Sequence, residues 1–551
     1  MNYQKYKKAY FPVPLESRDW PSREISHAPI WCSVDLRDGN QALYSPMTTE
    51  EKLEFFDLLV KMGFKEIEVG FPAASETEYV FIRRLIEENH IPDDVSIQVL
   101  TQAREHIIKK TVEALHGAKN AIVHLYNSTS ELQRRVVFRK EKDEIIQLAV
   151  DGAKLVKSLV DELDGNIRYE YSPESFTCTE MDFAAEITNA VLDVFQPTPE
   201  RKVIVNLPST IEVATANVYA DQIEYMHKHL KYRDSVIISV HAHNDRGTGV
   251  ASSELALLAG AERVEGTLFG NGERTGNADI IVLALNLFCQ GIDPQLKIES
   301  IDELIHVYET YNRLPIHPRH PYAGEMAYVA FSGSHQDAIK KSMDAYDKNE
   351  SKIWENPYLT IDPTDIGRKY EPILINSQSG KGGVSYIMEK KFGYTIPKDM
   401  LPEFSSIIKT LSDHKQTVLT PEEIHIAFKE QYINLASPIK LESYHFHVED
   451  SRTHLSAAIE KDGKTSTIET TGNGPLDALS TGLRKLIGRD FEIASYTEHA
   501  LERSSSSKAV SYIGLKDDKN QIHWGAGVDT NINSSSIYAL VSAVNRLLTQ
   551  K

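Results

Sequence analysis

The sequence predicts an α/β protein: a closed (β/α)8 barrel, then a helical linker, then a smaller α+β domain. Between residue 28 and about residue 290, short β-branched runs alternate eight times with longer segments of helical periodicity, a pattern typical of parallel βα units. Eight such units over about 260 residues have the size of a TIM barrel. The first predicted strand ends in LRDGNQ and lacks the glycine-rich fingerprint of an open, doubly wound sheet.

The candidate strands are short and rich in β-branched residues, with helical segments between them. One such segment, Thr48–Met62, opens with capping residues and closes at Gly63. We predict an N-terminal extension over residues 1–27, the barrel over 28–310 and helical linker subdomains over 311–435. The strands are predicted at Ile30–Leu36, Glu66–Phe71, Ser96–Thr101, Ala121–Tyr126, Ile167–Tyr171, Lys202–Leu207, Ser235–His241 and Arg263–Phe269.

The C-terminal part contains an internal repeat. After about residue 436 the chain returns to alternating apolar segments, and two glycine pairs each precede a helical segment. Gly472 and Gly474 form the first pair, Gly525 and Gly527 the second, with an offset of 53 residues in both cases. The repeat predicts a domain of two β-β-β-α copies over residues 436–551.

Composition and charge exclude several classes of function. The chain has 551 residues and a formal net charge of -19, with no Lys/Arg block of the kind that binds nucleic acid. No window approaches ~18 apolar residues, and the N-terminus lacks the apolar core of a signal peptide, so we expect no membrane association. Cys32, Cys178 and Cys289 show neither paired nor zinc-type spacing, which favours the reducing cytoplasm.

Candidate metal ligands follow the first, seventh and eighth predicted strands. His241 and His243 end the seventh strand in HAHND, and residues two apart on a strand share a face. Asp38 follows the first strand and Asn277 lies just past the eighth. Because strand eight of a closed barrel pairs with strand one, these groups could meet around one divalent ion.

Polar side chains also cluster at the ends of the fourth, fifth and sixth predicted strands. They are His124 in HLYNSTS, Ser172 and Glu174 in YSPES, and Thr210 in LPST. Taken singly, each could be a cap at the end of its strand. Together they fall where the active sites of barrel enzymes form, at the carboxyl ends of the strands, so we predict a catalytic cavity there.

The motifs resemble those of the 2-isopropylmalate synthase branch of the barrel acyltransferases, and the resemblance covers nearly the whole chain. Homocitrate synthases, citramalate synthases and 3-hydroxy-3-methylglutaryl-CoA lyases are relatives of that branch. One departure is WGAGVD, which stands where the branch has a GVGVD-like segment. The motifs that carry the resemblance are SVDLRDGNQ, EIEVGFPAAS, HLYNSTS, VHAHNDRGTGVASSELALLAGAERVEGTLFGNGERTGN, FSGSHQDAIKK and the C-terminal GNGP.

The resemblance implies an acyltransferase that condenses acetyl-CoA with 3-methyl-2-oxobutanoate and water, giving 2-isopropylmalate and CoA in the first committed step of leucine biosynthesis. Asp38, His241, His243 and Asn277 would be the metal ligands. Arg37 would lie beside the 2-oxo group of the substrate and stabilise negative charge on the reacting oxygens. The family implies Mg2+, although imidazole ligands also suit Mn2+ or Zn2+.

The resemblance also assigns substrate contacts. Thr210, His124 and Ser172 would bind the oxo acid, and Glu174 would be an essential carboxylate near the reacting centre. Chemistry requires a base of near-neutral pKa for the methyl proton of acetyl-CoA, and a histidine fits, but the sequence leaves that base open.

The linker is expected to contribute to the site of a neighbouring chain. By resemblance, His335 and Tyr358 would arrive from the partner subunit of a homodimer to complete the active site. Tyr370 is the alternative to Tyr358, because the length of this linker varies in the family.

The C-terminal repeat is similar to the leucine-binding regulatory domain of the family. A helix N-terminus preceded by glycine suits a carboxylate close to the backbone, but the same glycines could simply permit tight turns. The resemblance favours binding of L-leucine as a feedback inhibitor. The predicted contacts are Gly472, Gly474, Pro475, Ala478, Gly525, Ala526 and Gly527.

Two alternative functions stay open at this point. The chain could be a citramalate or homocitrate synthase, which differ from the first interpretation only in the oxo acid. It could also be a non-enzymatic leucine sensor on an inactive barrel, which would predict the loss of a metal ligand, whereas all four are present. A lyase would not need the C-terminal repeat.

Overall fold

Eight parallel strands close into a barrel in the order in which they occur along the chain. The computed structural model describes residues 8–348, 353–368, 381–415, 418–501 and 507–549. The predicted fold class is confirmed: the last strand pairs with the first, Trp31 opposite Val264 and Ser33 opposite Gly266. The strands are β1 (Ile30–Ser33), β2 (Glu66–Gly70), β3 (Ser96–Gln102), β4 (Asn120–Ser128), β5 (Asn166–Glu174), β6 (Val203–Ser209), β7 (Val236–Ala242) and β8 (Arg263–Gly266).

A ring of helices covers the strands, and capping residues mark the start and end of the first of them. The first helix is initiated by a capping box, in which the Thr48 side chain accepts from the backbone N–H of Glu51, and it ends at Gly63 with φ 107°. The helices are α1 (Thr49–Met62), α2 (Glu76–Glu87), α3 (Glu105–Ala114), α4 (Lys142–Val160), α5 (Met181–Phe195), α6 (Ala216–His229), α7 (Gly249–Leu258), α8 (Ile280–Phe288) and α9 (Ile301–Asn312).

Two strands, β1 and β8, end three residues earlier than predicted. β1 stops at Ser33 because the next residues form a π-helical turn, Asp35–Gly39. β8 stops at Gly266, and Phe269 lies in the left-handed region with φ 56°, which an extended strand cannot accommodate. Both corrections affect the site, since they replace strand ends by tight turns that carry functional side chains.

The chain divides into two compact units. The first runs to Ala327 and includes Pro363–Arg368, and the remaining described residues form the second. The domain limits predicted at residues 310 and 435 stay predictions. None of the helices in the described part of the chain is both long and apolar enough to cross a membrane.

The second unit contains the linker helices and the repeat. Helices α11 to α13 share an apolar core with the last two strands, in which Phe404, Phe428 and Trp524 are buried. The helices are α10 (Gly333–Lys348), α11 (Lys381–Phe392), α12 (Leu401–Lys415) and α13 (Pro421–Tyr432), and the repeat comprises β9 (Ile439–Glu449), β10 (Arg452–Lys461), β11 (Lys464–Gly472), α14 (Pro475–Ile487), β12 (Phe491–Ala500), β13 (Ala509–Asp517), β14 (Ile522–Asp529) and α15 (Ile532–Thr549).

The two glycine pairs differ in structure, which corrects the expectation that both form turns before a helix. Gly472 ends β11 and Gly474 is the N-cap of α14. Gly525 and Gly527 instead lie inside β14, where α15 packs directly on the strand. A Cβ atom on Gly527 would lie 1.9 Å from the backbone oxygen of Ser535. The second pair therefore permits close packing of a helix on a strand.

Candidate active site

A cavity of about 390 Å3 opens at the carboxyl ends of the barrel strands. Eight of the residues predicted from the sequence line it: Arg37, Asp38, His124, Ser172, Glu174, Thr210, His241 and His243. The further lining residues include Gln41, Phe71, Leu100, Tyr126, Asn206, Pro208, Glu273 and Arg274.

The π-helical turn after β1 carries Arg37 and Asp38 into this cavity. Asp35 anchors the turn, because its carboxyl group accepts from the Ser33 hydroxyl at 2.8 Å and from the backbone N–H of Leu268 at 3.0 Å. Burial raises the pKa of Asp35 to about 7. The turn is thus fixed both to its own strand and to the segment after β8.

Asp38, His241 and His243 form a buried cluster whose ligand atoms lie within 4.8 Å of one another. Asp38 Oδ2 lies 3.8 Å from His241 Nε2 and 4.0 Å from His243 Nε2. Burial alone would raise the pKa of the Asp38 carboxyl, but the charges of Arg37, His241 and His243 outweigh it and lower the pKa to about 2. Burial, and then the neighbouring His241, lower the pKa of His243 to about 4. Near pH 7 the cluster therefore offers a carboxylate and a neutral imidazole.

Asn277 joins this cluster from the loop after β8. Its Nδ2 donates to Asp38 Oδ2 at 2.6 Å and to the backbone oxygen of Asn271 at 3.0 Å, while its buried Oδ1 has no hydrogen-bond partner. The loop is built tightly beneath the amide: a Cβ on Gly276, whose φ is +95°, would lie 1.8 Å from the backbone oxygen of Gly270. The buried, unpartnered amide oxygen lies beside a carboxylate and two imidazoles. Together these groups form a suitable ligand set for a divalent ion.

Glu265 holds His241 from inside the barrel. Glu265 Oε2 lies 2.8 Å from His241 Nδ1. Glu265 Oε1 accepts hydrogen bonds from Arg263 at 2.8 Å and from Gln98 at 2.9 Å. Burial opposes ionisation of Glu265, but Arg263 and then His241 lower its pKa well below the usual range. The ionised carboxylate must accept, so His241 carries its proton on Nδ1 and leaves Nε2 free on the cavity side.

Arg37 is held in the same way by Glu68. Arg37 Nε donates to Glu68 Oε2 at 2.5 Å, and Arg37 Nη1 donates to Asp38 Oδ1 at 2.7 Å. Burial opposes the charge on Arg37, but Glu68 and then Asp38 raise its pKa above the usual value. The guanidinium is therefore a permanent cation in a fixed orientation at the cavity wall.

Both ring nitrogens of His124 are occupied, so it supports the wall of the cavity. His124 Nδ1 lies 3.0 Å from Glu68 Oε1, and Nε2 lies 2.7 Å from Ser172 Oγ. Asn206 donates to the same Ser172 oxygen at 3.1 Å. Since two groups fix this hydroxyl, its position at the cavity surface is defined.

A further part of the wall is built by Thr210, Glu174 and Arg274. Thr210 Oγ1 accepts from the backbone N–H of Ser175 at 2.9 Å, and Arg274 donates to the Thr210 backbone oxygen at 2.7 Å. The Ser128 hydroxyl donates to Glu174. The cavity thus has a carboxylate at Glu174 and fixed donors around it.

Beneath the cavity lies a second acid, Glu170, which the sequence analysis did not single out. Glu170 Oε1 lies 3.3 Å from His124 Nε2, and Oε2 lies 3.5 Å from Arg263 Nη2. Burial, and then the adjacent Glu265, raise the pKa of Glu170 well above its usual value. These causes favour the neutral, protonated form of Glu170, which adds no charge beneath the cavity.

Other predicted residues lie in the second unit. The rings of His335 and Tyr358 stack with centroids 4.0 Å apart and an interplanar angle of 24°, so the structure pairs them with each other. Their contribution to a barrel site stays a prediction, and Tyr370 lies outside the described residues.

The predicted regulatory contacts differ in accessibility. Gly474 is open, with no atom within 4 Å of a Cβ placed on it, and Pro475 is half-buried. Ala478 and Ala526 are fully buried, and the Ala526 backbone oxygen accepts from the N–H of Asn434 at 3.0 Å. The open part of this set is therefore the turn before α14.

The supporting residues were missed because they look like strand residues in the sequence. Glu68, Glu170 and Glu265 lie within β-strand segments, among apolar neighbours. A charged residue in a strand that is buried on both faces requires a partner, and this signal could have identified them.

The comparisons with known proteins agree with this geometry. Residues 28–307 match the model of the HMGL-like family, residues 325–389 match the alpha-isopropylmalate synthase post-catalytic domain-like model, and residues 418–548 match the LeuA allosteric (dimerisation) domain. The 2-isopropylmalate synthase of Acetoanaerobium sticklandii is 55% identical over 100% of this chain and 97% of its own length. The chain belongs to the 2-isopropylmalate synthase family. 

Other members of the 2-isopropylmalate synthase family match equally completely. The synthase of Clostridium acetobutylicum is 53% identical over 99% of both chains, and that of Helicobacter hepaticus is 52% identical over 100% of both. Among solved structures, a hydroxymethylglutaryl-CoA lyase from Pseudomonas aeruginosa covers 52% of this chain and 93% of its own, with 19% identity and a TM-score of 0.41. The full-length matches support the synthase interpretation over citramalate or homocitrate synthase.

Proposed function

We propose that this chain condenses acetyl-CoA with 3-methyl-2-oxobutanoate and water to give 2-isopropylmalate and CoA. The observation that carries the proposal is the cavity in which a buried Asp-His-His cluster faces a fixed arginine and a wall of hydrogen-bonding groups. Family membership supports the same reaction, because the relatives that match over the whole chain are named 2-isopropylmalate synthase.

Asp38, His241, His243 and Asn277 would hold one divalent metal ion, with Mg2+ as the first candidate and Mn2+ or Zn2+ as alternatives. The donor set fits: the two Nε2 atoms converge on Asp38 Oδ2, and Asn277 Oδ1 is buried without a partner. When bound, the ion would polarise the ketone of the oxo acid as a Lewis acid.

Arg37 would stabilise the negative charge that develops on the substrate oxygen. Its guanidinium is fixed by Glu68 and Asp38, so it needs little reorganisation during the reaction. The methyl group of acetyl-CoA must lose a proton before it attacks the ketone carbon. Water then cleaves the thioester, which makes the overall reaction effectively irreversible.

Thr210 and Ser172 would bind the oxo acid, with His124 as a positioning residue behind Ser172. The hydroxyl of Thr210 retains its own proton for a ligand, because it accepts from Ser175. Glu174 would lie beside the reacting carbons. Phe71, Leu100 and Pro208 supply apolar surface in the same cavity, which suits a branched aliphatic side chain.

His335 and Tyr358 would complete the site of a neighbouring chain in a homodimer, and L-leucine would bind at the turn before α14. The stacking of the two rings supports their acting together. The match to an allosteric dimerisation domain over residues 418–548 supports both the dimer and the effector site.

The function is tested by release of free CoA with three alternative acceptors. With acetyl-CoA present, 3-methyl-2-oxobutanoate should give the highest kcat/KM. Pyruvate as the preferred acceptor would instead indicate a citramalate synthase, and 2-oxoglutarate a homocitrate synthase. The His243→Ala chain, measured in parallel, should release no CoA above background with any acceptor.

A further inference from the structure

A second cluster of metal-binding side chains lies far along the sequence from the barrel, on the β9–β10 hairpin of the C-terminal domain. It consists of His447, Glu449 and His454, whose ligand atoms lie within 4.8 Å of one another. His447 and His454 are directly opposite each other across the two antiparallel strands. Glu449 lies two residues beyond His447 on the same strand, and therefore on the same face of the sheet.

The geometry of the histidine pair suits a shared ligand. The two rings lie parallel, with an interplanar angle of 10° and centroids 4.9 Å apart, and neither ring is engaged by another side chain at hydrogen-bond distance among the described residues. Glu449 approaches His447 Nε2 at 3.8 Å. Three potential metal ligands therefore converge here without a hydrogen bond between them.

The hairpin holds the donors in register. Asp450 and Ser451 form its two-residue turn with φ 47° and 63°, the left-handed pair that matches the twist of antiparallel strands. Alternate residues of β10, including Leu455, are buried in the core of the domain. The outward face is therefore fixed, and the cluster is preorganised at the closed end of the hairpin.

We propose that His447, His454 and Glu449 form a binding site for a divalent transition-metal ion, separate from the barrel site. Two imidazoles and one carboxylate favour Zn2+ or its neighbours in the transition series over Mg2+ or Ca2+. Zn–N bonds of about 2.0–2.1 Å place two ligand nitrogens roughly 3.4 Å apart in a tetrahedral site. Small rotations of the exposed side chains of His447 and Glu449, which are 59% and 68% accessible, would close the donors to that spacing.

The position of this site relates it to the turn before α14. His454 pairs with Thr471 of β11, and Thr453 pairs with Gly472. The ion would thus cross-link β9 to β10, and β10 in turn pairs with β11, the strand that ends at Gly472. Binding would make local opening of this hairpin less favourable, because the ion binds only the paired strands.

The test is metal counting on the full chain with Zn2+ as the probe, at equilibrium and after removal of unbound ion. We expect two Zn2+ per wild-type chain, one in the barrel and one at the hairpin. His447→Gln and His454→Gln should each lose one ion, whereas His243→Ala should retain the hairpin ion. The matched control is His445→Gln, an exposed histidine on the same face of β9 that lies outside the cluster.

A second measurement distinguishes a built site from loose surface binding. Zn2+ should slow amide hydrogen exchange in β9 and β10 of the wild type and of His445→Gln, and leave it unchanged in His447→Gln. The proposal is overturned if the His447→Gln and His454→Gln chains bind as many Zn2+ ions as the wild type, or if Zn2+ gives no protection of the hairpin. The fold of each variant is verified by unchanged amide exchange, without Zn2+, in β13, β14 and α15 of the same domain.

Discussion

Glu265 contacts the Nδ1 atom of His241 at 2.8 Å, on the side of the ring opposite to the Nε2 atom that faces Asp38. This contact fixes both the tautomer and the orientation of His241. Since Glu265 is itself held by Arg263 and Gln98, the orientation of a candidate metal ligand depends on a charge network inside the barrel.

Glu265→Gln should weaken divalent-metal binding roughly 10- to 100-fold, because a neutral amide oxygen stabilises the Nδ1 proton of His241 less than a carboxylate does. The measurement is a competition titration against a fluorescent chelator. Glu186→Gln, the same change at an exposed position on α5, should leave the affinity unaltered. Equal affinity in the wild type and Glu265→Gln would show that Glu265 does not position His241.

Subunit exchange tests the proposed contribution of the linker. His335→Ala and His243→Ala chains should each be inactive, for different reasons. If His335 completes the site of the neighbouring chain, mixed dimers contain one intact site and should recover a substantial part of wild-type activity. Mixed dimers that form but stay inactive would mean that each site is built from a single chain.

Leucine inhibition can be tested by a substitution in the turn before α14 that should leave the fold intact. Gly474→Val should keep catalysis, since a Cβ there meets no atom within 4 Å, but should raise the half-inhibiting concentration of L-leucine at least roughly tenfold by filling the site. Gly527→Val is the contrasting variant: its side chain would collide with α15 and should destabilise the domain. Unchanged leucine inhibition in Gly474→Val would place the effector elsewhere.

The pair His320–Asp279 predicts a pH-dependent contribution to stability. Burial lowers the pKa of His320, but the hydrogen bond to Asp279 Oδ2, 2.6 Å long, outweighs it and raises the pKa above 6.5. A folded-state pKa above the unfolded value gives stability that is complete below about pH 6.5 and is lost as the pH rises through the folded pKa. The melting temperature of the wild type relative to His320→Gln should therefore fall across that window. A pH-independent difference would contradict the pairing of a charged His320 with Asp279.

Much of the barrel could be predicted because its strands are apolar, β-branched and regularly spaced. The predicted starts of β2, β3 and β8 coincide with the observed ones. The periodicity of apolar residues does not indicate turns that side chains stabilise. The predicted end of β1, Leu36, therefore lies three residues beyond the observed end, Ser33. In the turn after β1, the buried carboxyl group of Asp35 accepts hydrogen bonds from Ser33 and from Leu268, which is far away in the sequence.

Some residues of the candidate site could likewise be predicted from the sequence, and others could not. His241 and Asp38 could be predicted, because His241 lies at the carboxyl end of one strand and Asp38 just after another, where the active sites of barrel enzymes form. Glu68 and Glu265 could not be placed by that rule, because they lie within strands and act through Arg37 and His241. Their roles depend on cross-barrel distances that a linear sequence does not contain.

The most direct measurement is turnover of the metal-free chain. After exhaustive chelation and removal of the chelator, CoA release from acetyl-CoA with 3-methyl-2-oxobutanoate should be lost and should return when Mg2+, Mn2+ or Zn2+ is added. The His243→Ala chain should keep the barrel fold. Its CoA release should not return when any of the three ions is added at the concentration that restores the wild type. Full turnover by the metal-free wild-type chain would contradict a metal-dependent condensation at Asp38, His241, His243 and Asn277.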